Sequence, residues 1–142
     1  MSLTNISQLL LRNDEFFSAK SPLFINLLPD DFCQSYLLKN PTAQITSYNT
    51  NFQYHQKHKI NKQVKCTFSA HYQTKKKHDL VVLQFPKSKT ELNFTLAMIA
   101  EHISSDAIIL IIGENKSGIK SVEKLTQKTL TFCNKIDAAR HC

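Results

Sequence analysis

Two apolar runs flanking one amphipathic stretch constrain this chain more than any other feature. Residues 80–85 read LVVLQF and residues 107–112 read AIILII. Neither run has the strict alternation of a half-exposed strand, so each fits a strand covered on both faces inside a parallel sheet. Between them, residues 90–103 place Leu92, Leu96, Ile99, Ala100 and Ile103 on one helical stripe. A strand, a helix and a second strand in that order close a right-handed parallel crossover. The expected fold is α/β: a Rossmann-like, mostly parallel open sheet with helices on both faces.

The remaining segments supply elements of the same kind. Asn5 is placed to cap a first helix that carries Ile6, Leu9 and Leu10. Residues 23–28 read as a strand stopped by Pro29. A second helix over residues 31–38 starts beside Asp30 and Asp31, where carboxylates meet the positive end of the helix dipole, and Asn40-Pro41 ends it. Residues 44–48 suit another strand, and residues 51–58 fit either a short helix or an extended segment. Val64, Cys66, Phe68 and Ala70 alternate with Lys65, Thr67 and Ser69, the period of a half-exposed strand. A last helix, over residues 117–128, sets Ile119, Val122 and Leu125 against a stripe of Lys116, Lys120, Lys124 and Lys128.

A chain of 142 residues is one domain by length. No apolar run reaches the roughly 18 to 20 residues needed to cross a bilayer, and the start of the chain shows no secretory pattern, so no membrane partner and a cytoplasmic location are expected. Cys33, Cys66, Cys133 and Cys142 are too scattered for Cys-x-x-Cys pairs and read as reduced thiols. The 18 basic residues exceed the 11 acidic ones, leaving a net charge of +7. Such a balance favours a polyanionic partner, because lysines that neutralise phosphates release counterions.

The motifs argue against chemistry carried by this chain itself. Residues 113–118 (GENKSG) resemble a phosphate-binding loop until Ile119, which stands where that loop requires lysine; Lys120 comes one residue late, about 100° round a helix. A methyl-donor site wants a glycine-rich loop after the first strand, yet the chain has two glycines, neither near residues 23–28. Asn40-Pro41-Thr42-Ala43 lacks the second proline and the aromatic residue of an amine-activating turn, and follows a helix. His55, His58, Cys66 and His71 supply one ligand pair where a zinc site needs two. No catalytic, cofactor-binding or metal-binding residue is assigned.

Basic clusters remain as candidates for RNA contact. One holds Lys57, His58, Lys59, Lys62 and Lys65, a second Lys75, Lys76, Lys77 and His78, and a third Lys116, Lys120 and Lys124. Tyr48, Phe52, Tyr54 and Tyr72 lie among the first two and could stack on unpaired bases, unless they simply anchor loops to the core. Phe94 and Met98, four residues apart and opposite Leu96, form a second apolar patch that would either be buried or dock a further domain.

Three runs carry a family resemblance: FPKSK at 85–89, IGENKSGIKS at 112–121 and NKIDAARHC at 134–142. They resemble the N-terminal half of the ribosomal RNA small subunit methyltransferase C family. Phe85 departs from the tryptophan usual there, and His141 from arginine. The resemblance implies a single non-catalytic domain over residues 1–142 with a degenerate methyltransferase-like fold. It implies a catalytic C-terminal domain as one partner and small-subunit ribosomal RNA as the other. S-adenosylmethionine would bind that other domain, the product being a guanine methylated on its exocyclic N2. A freestanding RNA-binding α/β module is the alternative reading.

Overall fold

A computed structural model describes residues 3–27, 30–58, 64–68, 74, 77–86, 88–114 and 119. Helix α1 (Asn5–Arg12) leads to strand β1 (Pro22–Ile25), followed by α2 (Phe32–Lys39), β2 (Ile45–Asn49), α3 (Phe52–His58) and β3 (Val64–Phe68). Strand β4 (His78–Gln84), α4 (Lys89–Ile99) and β5 (Ile103–Ile112) complete the described elements. The five strands form one sheet in the order β3-β2-β1-β4-β5, every pairing parallel. The α/β expectation holds in full. The helix foreseen over residues 117–128 lies outside the described residues.

Alternation within the apolar runs explains their composition. Phe24, Leu80 and Val82 point into a cluster with Ile6, Leu9 and Leu10 of α1 and Phe32, Tyr36 and Leu37 of α2. Their neighbours Leu23, Ile25, Val81 and Leu83 point the other way, into a cluster with Leu92, Leu96 and Ile99 of α4. A central parallel strand therefore has no wet face on which to place a polar residue. Each such side chain, once buried, contributes about 1.5–3 kcal/mol relative to exposure. Rings tighten the first cluster: Phe24 lies 5.3 Å from Phe32 and edge-on to Tyr36 at 5.6 Å.

Local polar contacts set the boundaries, in places not where the sequence suggests. Thr4, in extended backbone, caps α1: its Oγ1 accepts the Ser7 N–H at 3.2 Å, so Asn5 is the first helical residue rather than the cap. Asp31 stands at the N-cap of α2 but makes no side-chain capping bond there; Asp30 supplies one, its Oδ1 accepting the Phe32 N–H while Oδ2 accepts that of Thr4, both at 2.9 Å. One carboxylate thus joins two helix starts. Ser88 and Glu91 form the start of α4, the Ser88 hydroxyl accepting the Glu91 N–H. Strand β1 ends at Ile25, ahead of Pro29, because Asn26 turns into the left-handed region at φ 55°. Asn26 N–H still donates to Tyr48 O at 2.9 Å.

Helix α4 also stops short. Its stripe buries Leu92, Leu96 and Ile99 as expected, but a 3-10 turn covers Ala100–His102 with Ala100 exposed, and Ile103 pairs with His78 as the first residue of β5. Strand pairing outweighs helical periodicity there. Strand β5 was expected to be covered on both faces; at the sheet end it is mostly half-buried, and Ile108 is 41% exposed.

At the amino-terminal end of the sheet, Asp79 ties β4 to the approach to β1. Its carboxylate accepts the N–H groups of Lys20 and Ser21, each at 3.0 Å. His78 is fully buried beside it, and its Nδ1 lies 3.0 Å from the Ser21 carbonyl oxygen, a spacing that fits an Nδ1–H donor. Tyr36 donates its hydroxyl to Ala19 O at 2.8 Å; burial, then the Asp79 charge, push that phenol up to about 12. Burial likewise holds the Cys33 thiol at about 12, which makes it an inert core group.

Candidate nucleic-acid interface

In an open α/β sheet the carboxyl ends of the strands form the edge where ligands bind. The register brings a row of polar side chains to that edge. Phe24 pairs with Ser47 on one side and Val82 on the other; two residues further along lie Asn26, Asn49 and Gln84. Phe68 and Ile112 are the register partners of Asn49 and Gln84, so they extend the row outward on both sides. The Asn26 side-chain oxygen accepts the Thr50 N–H at 2.8 Å. Asn49 is fully buried and donates to Ser47 Oγ at 3.1 Å. The side-chain oxygens of Asn49 and Gln84 are buried with no hydrogen-bond partner among the described residues. Gln84 is followed by Phe85 and Pro86, an amide two residues before a proline at a strand end. Asn40, whose turn lacks the second proline and the aromatic residue, ends α2 with its N–H on Tyr36 O.

The same edge tests whether an adenosyl group fits. Leu27, in the loop after β1, is buried in the core, and its carbonyl oxygen lies 3.0 Å from the buried Nε2 of His58. The buried Leu27 stands in the described part of that loop, where a donor site wants glycine, and β2 ends in the amide Asn49 rather than a carboxylate. These residues do not fit the group. His55 and His58 are both buried, and no group of metal-ligating side chains occurs among the described residues.

Of the lysines singled out, Lys57 lies exposed in the last turn of α3, and Lys65 lies exposed on β3, three residues before Phe68 and so on the other face of that strand. Lys77 is exposed just ahead of β4, its Nζ donating to Glu101 O at 2.5 Å. Strands β3 and β4 are three strand spacings apart, about 14 Å, so Lys65 and Lys77 do not share one contact point. His78 is buried and leaves the basic surface. Lys59, Lys62, Lys75, Lys76, Lys116, Lys120 and Lys124 lie outside the described residues.

The aromatic candidates divide as well. Tyr48 is buried against the sheet and offers no face to a ligand, and Tyr72 lies outside the described residues. Phe52 is 53% exposed and Phe68 46%, their rings edge-to-face at 5.2 Å with the buried His55 beneath both. Phe68 was read only as a strand residue. The expected patch of Phe94 and Met98 is split: Met98 turns into the core under α4, while Phe94 is 55% exposed.

A charge pattern separates the basic clusters. Residues 32–78 contain no aspartate or glutamate, yet hold Lys39, Lys57, Lys59, Lys62, Lys65, Lys75, Lys76 and Lys77. Elsewhere the basic residues are outnumbered by the 11 acidic ones, so the whole formal charge of +7 originates in this segment. It supplies α2, β2, α3 and β3, one flank of the sheet. Averaging over the whole chain hides that separation.

Five parallel strands in this order, with helices on both faces, define a Rossmann-like fold shared with methyltransferases. The solved plantazolicin methyltransferase BpumL, in complex with a triazolic desmethylPZN analog and SAH, matches 86% of this chain and 52% of its own with a TM-score of 0.63 at 15% identity. Streptomyces venezuelae DesVI matches 75% of this chain and 48% of its own with a TM-score of 0.57 at 13% identity. By sequence, the chain belongs to the family described as methyltransferase small domain N-terminal, whose pattern matches residues 7–142. Relatives named ribosomal RNA small subunit methyltransferase C are 51% identical in Colwellia psychrerythraea and 41% identical in Pseudoalteromonas translucida. The alignments cover 100% and 99% of this chain but only 42% and 41% of those relatives. The chain thus spans about two-fifths of their length.

Proposed function

We propose that this chain is the non-catalytic N-terminal domain of a methyltransferase acting on small-subunit ribosomal RNA, where it supports the catalytic part and holds the RNA. The full-length match to relatives of that name, over two-fifths of their length, carries the reading. The filled strand ends at Leu27 and Asn49 support it, since the methyl donor would bind in the remaining part of such an enzyme. The reaction is transfer of a methyl group from S-adenosylmethionine to the exocyclic N2 of a guanine. A base must leave its stack to be modified, which costs a few kcal/mol. A cationic platform lowers the barrier by fixing the flanking backbone before chemistry. The acid-free flank with Lys57 and Lys65 is suited to that task, since its charge is unopposed locally.

Isothermal calorimetry tests the division of labour. Titrating the 142-residue chain with S-adenosylmethionine is expected to release no binding heat, whereas a micromolar dissociation constant would overturn it. Filter binding to a fragment of small-subunit ribosomal RNA should show affinity that falls steeply with salt. An affinity that ignores salt would remove the electrostatic platform from the reading.

A further inference from the structure

We propose that the exposed ring pair Phe52 and Phe68 is a stacking platform for an unpaired RNA base. The inference rests on the RNA reading above and assigns the residues and the form of RNA recognised. Phe52 opens α3 and Phe68 closes β3, so both stand at the carboxyl edge of the sheet. A soluble surface rarely leaves two phenyl rings about half open in mutual contact without a use for them. The edge-to-face arrangement, backed by the buried His55 ring, holds both in place, so stacking costs little ordering.

Charge selects the occupant. The two elements that supply the rings also carry exposed Lys57 and Lys65, inside a segment with no acidic residue. An apolar protein partner would gain nothing from that field, whereas a single strand offers a π-face to the rings and phosphates to the lysines. Duplex RNA cannot use the rings, because its bases are already stacked.

The chain contains no tryptophan, so Phe52→Trp introduces a single fluorescent reporter at the platform. Single-stranded oligoadenylate is expected to quench that emission, and a duplex of equal phosphate number to leave it unchanged. The Phe52→Ala/Phe68→Ala variant should bind oligoadenylate about tenfold more weakly with an unchanged salt slope, since no phosphate contact is lost. Phe52→Tyr should retain parental affinity, which separates stacking from a folding defect. RNA bound without quenching, or equal affinity of the alanine variant, would overturn the platform while leaving the RNA reading intact. No binding of any RNA would overturn both. If the alanine variant instead lost self-association on sedimentation, the rings would belong to a contact between copies and the proposal would fall.

Discussion

On one side of the central β1 and β4 pair, the described parts of α3 and β3 present Lys57, Lys65 and the half-open rings of Phe52 and Phe68. On the other, α4 packs Leu92, Leu96 and Ile99 at essentially full burial, with exposed Glu91 in its first turn, Glu101 in the 3-10 turn that follows it and Asp106 on β5. Both flanks are parallel crossovers from the same centre, yet one concentrates charge and exposed rings while the other mixes charge signs over a dense core. The contrast teaches that topology constrains only the faces that must be dry. Strands β1 and β4 are apolar on both faces because helices cover both; toward the sheet ends, side chains are free to be chosen for a partner.

Substitutions can break this comparison. The largest effect is expected for Leu92→Ala, which opens a cavity under α4 and should cost about 3 kcal/mol in denaturant unfolding. Phe52→Ala on the opposite flank should cost well under half of that, since its ring is already half in water. Equal losses would show that the exposed rings are as much core as Leu92. Asp79→Ala strands the Lys20 and Ser21 N–H groups at the shared centre, and about 2 kcal/mol should disappear from the same measurement.

Charge sharpens the contrast from the binding side. Lys57→Glu/Lys65→Glu should weaken RNA binding about tenfold and flatten the salt slope. Lys89→Glu on the α4 flank should change affinity by less than about twofold, so comparable losses would spread the interface over both flanks. Gln84→Met removes a buried acceptor that has no partner among the described residues; stability should stay within about 1 kcal/mol of the parent, on the stabilising side.

The smallest effect belongs to the exposed Lys39 and Asp14 ion pair. The Lys39 hydrogen bond, then its charge, hold the Asp14 carboxyl below its ordinary value of 3.8. A depressed folded-state value means that the contribution is present above the ordinary carboxylate range and fades as pH falls through it. Lys39→Ala should therefore melt slightly lower at neutral pH and together with the parent in strong acid.

Where periodicity and burial agreed, the sequence was readable. The apolar strands around residue 24 and within residues 80–85, the α2 boundaries to within one residue, and the Leu92, Leu96 and Ile99 stripe all follow from local pattern. Ala100 and Ile103 failed because helix and strand patterns overlap there, and pairing with His78 decided between them. Met98 took the buried one of its two readings, a choice that a helical wheel cannot make because it does not say how far the covering layer wraps round α4. Phe68 was missed as a site residue because its exposure depends on β3 standing at the sheet end and on Phe52 arriving from another element. The absence of acids between Asp31 and Asp79 was visible in the sequence, and only a count by segment rather than over the whole chain would have found it.

The amino-acid order by itself determined that the chain builds parallel crossovers and where its positive charge is concentrated, since both depend on neighbours a few residues apart. Tertiary structure alone decided which strands lie at the ends of the sheet, that Asn26, Asn49 and Gln84 stand in one row, and that two phenyl rings meet in the open. Those outcomes depend on register between segments tens of residues apart, which local periodicity does not encode.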